Sequence, residues 1–131
     1  MRNAIVITLL SFSAVHAAEP PKKPSPASGA ALYRTYCASC HGLSGNGGGP
    51  AAPAMKAPPP DLTLLSKRNS GRFPAVAVFQ SIEGNAAIPA HGSREMPVWG
   101  AAFRRMGGSD DAGVKLRMRN LVRYIESIQA K

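Results

Sequence analysis

The stretch Cys37-Ala38-Ser39-Cys40-His41 contains the side chains with the most evident chemistry in this chain. Two thiols stand three positions apart, and an imidazole directly follows the second. This spacing is the attachment signature of a c-type haem. On the last turn of a short helix, both thiols would reach the two vinyl groups on one porphyrin edge. His41 would then lie over the iron as its proximal ligand.

Two other kinds of site also use a pair of cysteines at this spacing. A structural zinc site needs four ligands in tetrahedral arrangement, and the sequence has no cysteine besides Cys37 and Cys40. A thioredoxin-like redox dithiol is expected where a strand meets a helix, and the sequence offers almost no strands. We therefore favour haem attachment. Because the motif occurs once, the sequence predicts a single haem.

Composition agrees with a small domain built around such a group. A length of 131 residues predicts one domain, and only 6% of the residues are aromatic, with 13 Gly and 12 Pro. A small domain with so few core-forming side chains usually needs a covalent or metal staple. A covalently held haem would supply a large apolar body at the centre of the core. If both cysteines carry thioethers, none remains for a disulfide.

The N-terminal segment has the pattern of an export signal. Arg2 precedes a short apolar stretch from Ala4 to Val15, and Val15-His16-Ala17 fits the small-x-small rule for cleavage after Ala17. An uncleaved membrane anchor is the alternative, but a spanning helix needs about 20 apolar residues. We expect export to the periplasm. The predicted division is a cleaved signal peptide over residues 1–17, a flexible Pro-rich lead over 18–27 and the folded domain over 28–131.

The helix that must carry the motif, and the helix at the other end of the chain, have the clearest signals. Ser28 is suited to cap a helix that runs through Gly29 into the motif. Ser109 or Asp110 would cap the last helix, whose apolar residues recur at helical spacing with basic residues opposite. Its apolar face is expected to comprise Val114, Met118, Leu121, Val122, Ile125 and Ile128, and its basic face Lys115, Arg119 and Arg123.

Two shorter helices are expected between these ends. One begins at Pro74 and ends at Gly84, because proline suits a first turn and glycine the left-handed end of a helix. The other begins at Pro97 and ends at Gly107-Gly108. The first is expected to bury Val76, Phe79 and Ile82. The second carries Val98, Trp99, Ala102 and Phe103. The pattern predicts an all-α fold of four to five short helices around one haem.

The second axial ligand of the iron has two candidates. Met96 follows a loop and directly precedes Pro97, which would stiffen the segment that carries the thioether to the distal face. His91 lies in the same loop, and bis-histidine ligation is chemically possible. Packing better explains the other methionines. We predict ligation of the iron by His41 and Met96.

These features together resemble a class I cytochrome c, a small mono-haem electron carrier, over roughly residues 28–129. Gly29-x-x-x-Tyr33-x-x-x-Cys37 resembles the first helix of the family, and Leu121-x-x-Tyr124-Ile125 resembles its last helix. The resemblance implies that these two helices cross closely at Gly29. Met96-Pro97-Val98-Trp99-Gly100 is similar to the axial-methionine segment of many bacterial members.

Pro60-Asp61-Leu62 is similar to the proline-polar-leucine segment of the same family. The resemblance implies that the Pro60 carbonyl accepts the ring N–H of His41, and that Leu62 packs against the haem. The long Gly/Pro-rich loop between His41 and Pro60 departs from the family pattern and would reshape the exposed haem edge. The expected haem-binding residues are Cys37, Cys40, His41, Pro60, Leu62 and Trp99.

The predicted function is one-electron transfer between periplasmic or respiratory redox partners, without enzymatic activity. Methionine sulfur favours the reduced iron, so a His/Met pair raises the reduction potential relative to harder ligands. A haem enzyme such as a peroxidase is the alternative, and it needs an open distal side with an acid–base residue. His91 could take that role only if Met96 does not ligate.

The charge of the chain indicates the kind of partner. The sequence has 16 Lys and Arg against 7 Asp and Glu, a formal net charge of +9. Such an excess favours acidic partners. We expect redox proteins with acidic docking surfaces, a dehydrogenase or reductase as donor and an oxidase or other protein as acceptor. Nucleic-acid binding is not expected, because aromatics are few and no known nucleic-acid module is present. Membrane contact is expected to be peripheral at most.

Overall fold

The structure is a computed structural model, and it describes residues 28–84, 96–106 and 110–130. These ranges contain six α-helices and two short 3-10 turns, and no β-strand. In chain order they are α1 (Gly29–Tyr36), α2 (Ala38–His41), turns at Ala52–Ala54 and Leu62–Leu64, α3 (Leu65–Arg68), α4 (Ala75–Glu83), α5 (Trp99–Arg105) and α6 (Asp111–Ser127).

The all-α prediction is confirmed, and the helix count exceeds the expected four to five for a local reason. The backbone at Cys37 (φ −113°, ψ −33°) separates α1 from α2, so the motif occupies a turn of its own. In the described part, none of the helices combines the length and the apolar character that a membrane span requires. Two predicted segments lie outside the described residues, the signal peptide (1–17) and the lead (18–27). The same holds for His91 and Arg94, two residues of the loop before Met96.

Helix α1 begins as the sequence predicts. The Ser28 backbone is extended, and its Oγ accepts a hydrogen bond from the Ala31 N–H at 3.2 Å, which satisfies one of the orphan donors of the first turn. The helix ends where the Cys37 N–H donates to the Tyr33 carbonyl oxygen at 2.8 Å. Its buried side holds Gly29, Leu32 and Tyr33, which therefore form the contact surface for the rest of the fold.

Helix α6 also follows the sequence pattern closely. Asp110 is the cap, and its Oδ1 accepts from the Gly113 N–H at 2.9 Å, while Asp111 lies in the first turn near the positive end of the helix dipole. The predicted apolar face is confirmed at Val114, Met118, Leu121, Val122 and Ile125, which are buried, and Ile128 is partly buried. The predicted basic face, Lys115, Arg119 and Arg123, is exposed.

Helices α1 and α6 cross at Gly29. A Cβ atom on Gly29 would collide with the Asn120 carbonyl oxygen and lie 2.8 Å from the Tyr124 Cβ, so only glycine lets the two backbones approach this closely. One turn further along, the rings of Tyr33 and Tyr124 pack with their centroids 5.1 Å apart. The close crossing that the family resemblance implies is therefore present.

Helices α4 and α5 complete the core, with one prediction overturned. Helix α4 follows Pro74 and ends at Gly84, which is left-handed with φ 88° as expected. Val78 and Ile82 are buried, whereas Val76 is 72% exposed, so the expected burial of Val76 is wrong. Residues two positions apart on a helix lie about 200° apart around its axis. A buried face centred on Val78 and Ile82 therefore turns Val76 outward.

The core itself is formed by side chains from five of the described helices, α1, α2, α4, α5 and α6. Phe103 from α5 is 2% exposed and lies in the same cluster as Leu32, Tyr33, Ile82 and Met118. Met118 is fully buried, which confirms that packing explains it. The expected end of α5, Gly107-Gly108, lies outside the described residues. The last residue of α5 in the structure is Arg105.

The crossing at Gly29 gives a stability prediction. Gly29→Ala should lower the free energy of unfolding by about 1–3 kcal/mol through overpacking against α6. Helix propensity alone predicts the opposite sign, a gain of up to ~1 kcal/mol. Gly48→Ala is the control, because its added Cβ would approach only the Asn46 side chain, at 3.2 Å. Chemical denaturation of both haem-loaded variants measures the difference, and a stabilised Gly29→Ala protein would contradict the close crossing.

Candidate functional site

The five-residue motif forms a single compact turn between α1 and the following loop. Cys37 precedes α2 and its carbonyl oxygen accepts from the N–H groups of Cys40 at 3.2 Å and His41 at 2.9 Å. Neither cysteine is in a disulfide, both are partly buried, and His41 is 9% exposed. The two thiols and the imidazole are therefore fixed on one turn of backbone, as attachment to a single flat group requires.

The His41 ring is held by the Pro60 segment. Its Nδ1 lies 3.3 Å from the Pro60 carbonyl oxygen. A carbonyl can only accept, so this hydrogen bond requires the proton on Nδ1 and leaves the lone pair of Nε2 available to a metal. Burial lowers the pKa of His41, partly opposed by the hydrogen bond to Pro60. The ring is thus neutral near pH 7, which is its metal-binding form.

The Gly-rich loop after the motif acts as a cap for α2. The last carbonyl groups of a helix have no partner within it. Here amides of the loop supply the partners: Gly47 N–H donates to His41 O at 2.8 Å, Gly49 N–H to Cys40 O at 3.1 Å, and Ala51 N–H to Ser39 O at 2.8 Å. These contacts join the loop to the backbone of the motif.

The same loop also reaches the Pro60 segment and helix α1. Gly45 O accepts from the Leu62 N–H at 2.7 Å, and the buried hydroxyl of Tyr33 donates to Gly42 O at 2.8 Å. Gly42 and Gly45 are left-handed, with φ 79° and 85°, a conformation that other residues adopt at a cost. The loop therefore ties the motif, α1 and the segment that orients His41 into one unit.

The remaining predicted site residues lie on α5 and on the turn after Pro60. Leu62 begins the second 3-10 turn and packs against the core. Trp99 begins α5, and the centroid of its ring lies 5.3 Å from that of Tyr36. Tyr36 directly precedes Cys37 in the sequence. Met96 lies three residues before α5 and is 37% exposed.

A comparison with protein families decides the general identity. The family model described as "Cytochrome C oxidase, cbb3-type, subunit III" matches residues 24–110, which is more than half of the chain. The chain belongs to this family of c-type cytochrome domains. No curated protein and no solved structure matches it.

Membership establishes the general chemistry of this cytochrome domain. It has the all-α cytochrome c fold, its family implies covalently bound haem c, and its general function is haem-based electron transfer. Cytochrome c domains are typically electron carriers, not enzymes, and are usually extracytoplasmic.

The donor set at the motif fits a haem better than the alternatives. Burial, and to a lesser extent the neighbouring Cys40, raises the pKa of the Cys37 thiol to about 12. Redox-active dithiols and metal-bound thiolates need the opposite shift. The described part of the cytochrome also has no cluster of three His, Cys, Asp or Glu side chains that could hold a metal ion by itself. A Cys37 thiol held neutral by burial, a second cysteine on the same turn, and an imidazole whose Nε2 is unprotonated suit a porphyrin iron.

The sequence does not predict the hydrogen bonds through which Tyr33 and Gln129 support the site. The sequence places Tyr33 on the first helix but does not reveal that its hydroxyl holds Gly42. Gln129 follows α6 and makes three hydrogen bonds, one of them to Leu62. Its sequence signal is weak, since a glutamine at the polar end of a helix is ordinarily solvated.

Proposed function

We propose that this cytochrome is a periplasmic class I electron carrier with one haem, attached through Cys37 and Cys40 and ligated by His41 and Met96. The observation that carries the proposal is the His41 ring, which is buried and hydrogen-bonded through Nδ1 to the Pro60 carbonyl, so that Nε2 is the unprotonated nitrogen. A bound haem supplies an iron that alternates between the ferrous and ferric states.

The residues of the chain divide the work of holding and tuning that group. The two cysteines fix its position, and the Pro60 carbonyl orients His41 and raises the basicity of the ligand. The thioether of Met96 favours the reduced state, which raises the potential. Leu62 and Trp99 supply apolar surface that excludes water from the ligands.

Export and partner choice belong to the same proposal. Residues 1–17 are the signal that directs the chain to the periplasm, and the excess of Lys and Arg steers it to acidic redox proteins. Two sets of basic residues take different parts in this proposal. The docking group comprises Arg94, Arg104 and Arg105 before and at the end of α5, and Lys67, Arg68 and Arg72 at and after α3. Lys115, Arg119 and Arg123 solvate α6.

Covalent attachment is tested by mass spectrometry of the mature protein. We expect one haem per chain that survives acid–organic extraction. Cys37→Ala or Cys40→Ala should leave at most one thioether and lower the yield of holoprotein, since the haem supplies much of the core. Ser39→Ala is the matched control between the two cysteines, because Ser39 is exposed and lies 3.9 Å from the Cys40 sulfur. Complete extraction of the haem from the unaltered protein would refute attachment.

The axial assignment is tested by Met96→Ala. Loss of the thioether should open the iron, lower the reduction potential and allow added cyanide or carbon monoxide to bind, as optical spectra would record. Met106→Ala is the control, since Met106 is 49% exposed next to α5. His91→Ala should also leave the spectra unchanged. An open iron in the His91 variant, with an intact Met96 variant, would reverse the assignment; exogenous-ligand binding by the unaltered protein would favour the haem-enzyme alternative.

Electrostatic docking is tested by charge reversal. Arg104→Glu and Arg105→Glu should slow electron transfer to an acidic redox protein, because steering raises association rates by about 10- to 1000-fold and fades with salt. Lys115→Glu and Arg119→Glu are the matched controls on α6. Stopped-flow rates over a range of ionic strength measure the effect, with benzoquinone as an uncharged oxidant. Equal slowing by both pairs, or rates that do not depend on salt, would contradict the docking group.

A further inference from the structure

The side chain of Gln129 links the end of α6 to the segment after Pro60. Its Oε1 accepts from the Ser66 N–H at 2.8 Å. Its Nε2 donates to the Leu62 carbonyl oxygen at 2.7 Å and to the Ile125 carbonyl oxygen at 2.8 Å. Only this orientation of the amide gives one acceptor and two donors to these partners, so the orientation is fixed by its contacts.

The backbone beside Gln129 adds a fourth bond at this helix end, and it also reaches the segment after Pro60. The Ala130 N–H donates to the Thr63 carbonyl oxygen at 2.8 Å. Three of the four bonds therefore join the end of the chain to residues 62–66, more than 60 positions earlier. A helix end needs only local partners for its last carbonyls, so bonds to so distant a segment hold that segment in place.

The segment that Gln129 holds is continuous with the carbonyl that orients His41. Leu62 is fixed on both sides, since its N–H donates to Gly45 O at 2.7 Å and its carbonyl accepts from Gln129. Only Asp61 separates Leu62 from Pro60, and the Asp61 carboxylate accepts from the Thr63 N–H at 2.8 Å. Little freedom is left between the Gln129 amide and the Pro60 carbonyl oxygen.

We infer that Gln129 is a positioning residue for the axial histidine: it fixes residues 62–66 and, through them, the Pro60 carbonyl that orients His41. The inference rests on the proposed ligation of the haem iron by His41. It assigns to the C-terminal end of α6 a part in tuning the iron, in addition to closing the fold. Without the hydrogen bonds of Gln129, the Pro60 carbonyl would separate from the His41 Nδ1 proton more often, so that water could exchange that proton.

The test follows the His41 Nδ1 proton in the ferrous holoprotein by NMR, together with the Ser66 amide proton. Gln129→Met keeps the length of the side chain and removes all three side-chain bonds. Gln129→Glu keeps an acceptor for Ser66 and loses both donors. Since each bond is modest and each opening exposes both protons, we expect the Nδ1 proton to exchange about tenfold faster or more in both variants. The Ser66 amide should also exchange faster in both variants, and more so in Gln129→Met, where it has lost its acceptor.

Ser127→Ala is the matched control at the same helix end. It removes the Ser127 Oγ hydrogen bond to the Tyr124 carbonyl at 2.7 Å and touches nothing in residues 62–66. A residue that merely caps α6 would change the exchange of the α6 amides, not that of the Nδ1 proton. Unaltered Nδ1 exchange in either Gln129 variant, or equal acceleration in Ser127→Ala, would overturn the inference.

Two further outcomes are separable. If the unaltered ferrous protein shows no iron-bound His41 resonances, the proposed ligation fails, whatever Gln129 does. If Gln129→Met yields no holoprotein, Gln129→Glu and the unaltered protein test the inference. In the unaltered protein, the Ser66 amide and the His41 Nδ1 proton should become exposed with the same dependence on denaturant, as one cooperative unit. Rapid exchange of the Ser66 amide, independent of the His41 Nδ1 proton, would overturn the inference.

Discussion

The close crossing of α1 and α6 at Gly29 is the constraint on which the rest of the structure depends. Because Gly29 carries no side chain, α6 lies against α1 along the face that holds Tyr33. This fixes two chain segments relative to each other. The C-terminal end of α1 carries the haem motif, and the end of α6 carries Gln129 to the turn after Pro60. The crossing thus sets the distance across which the site is assembled.

Main-chain hydrogen bonds, more than side-chain packing, hold the site together. The carbonyls at the end of α2 are capped by loop amides, and the Leu62 backbone is held through both its N–H and its carbonyl. A chain with few aromatic residues and many glycines has limited means to lock side chains by packing. Glycine in turn allows backbone to approach backbone, as at Gly47, where a Cβ would collide with the Pro59 carbonyl oxygen.

Local signals in the sequence predicted the helix caps at Ser28 and Asp110 and the buried face of α6, because caps and periodicity depend on neighbouring residues. The phase of α4 was not predictable in this way. Ala75 to Phe79 is apolar all round, so periodicity does not distinguish Val76 from Val78, and only contact with α6 decides. The three bonds of Gln129 were also hidden, since two of its partners lie over 60 residues away. The glycine at the crossing was predictable only through a family resemblance.

Burial favours the neutral forms of three titratable side chains at or beside the motif. Burial raises the pKa values of Tyr33 and Cys37 and lowers that of His41. Among the described residues, most of the basic side chains are exposed on α5, at α3 and on the outer face of α6, and Arg34 and Lys56 are also exposed. Charge is therefore separated from the site: a low-dielectric interior disfavours extra positive charge there, which favours the reduced form of any metal centre with neutral ligands. The same separation keeps the surface charge away from the groups that form the site, so that one can be altered without the other.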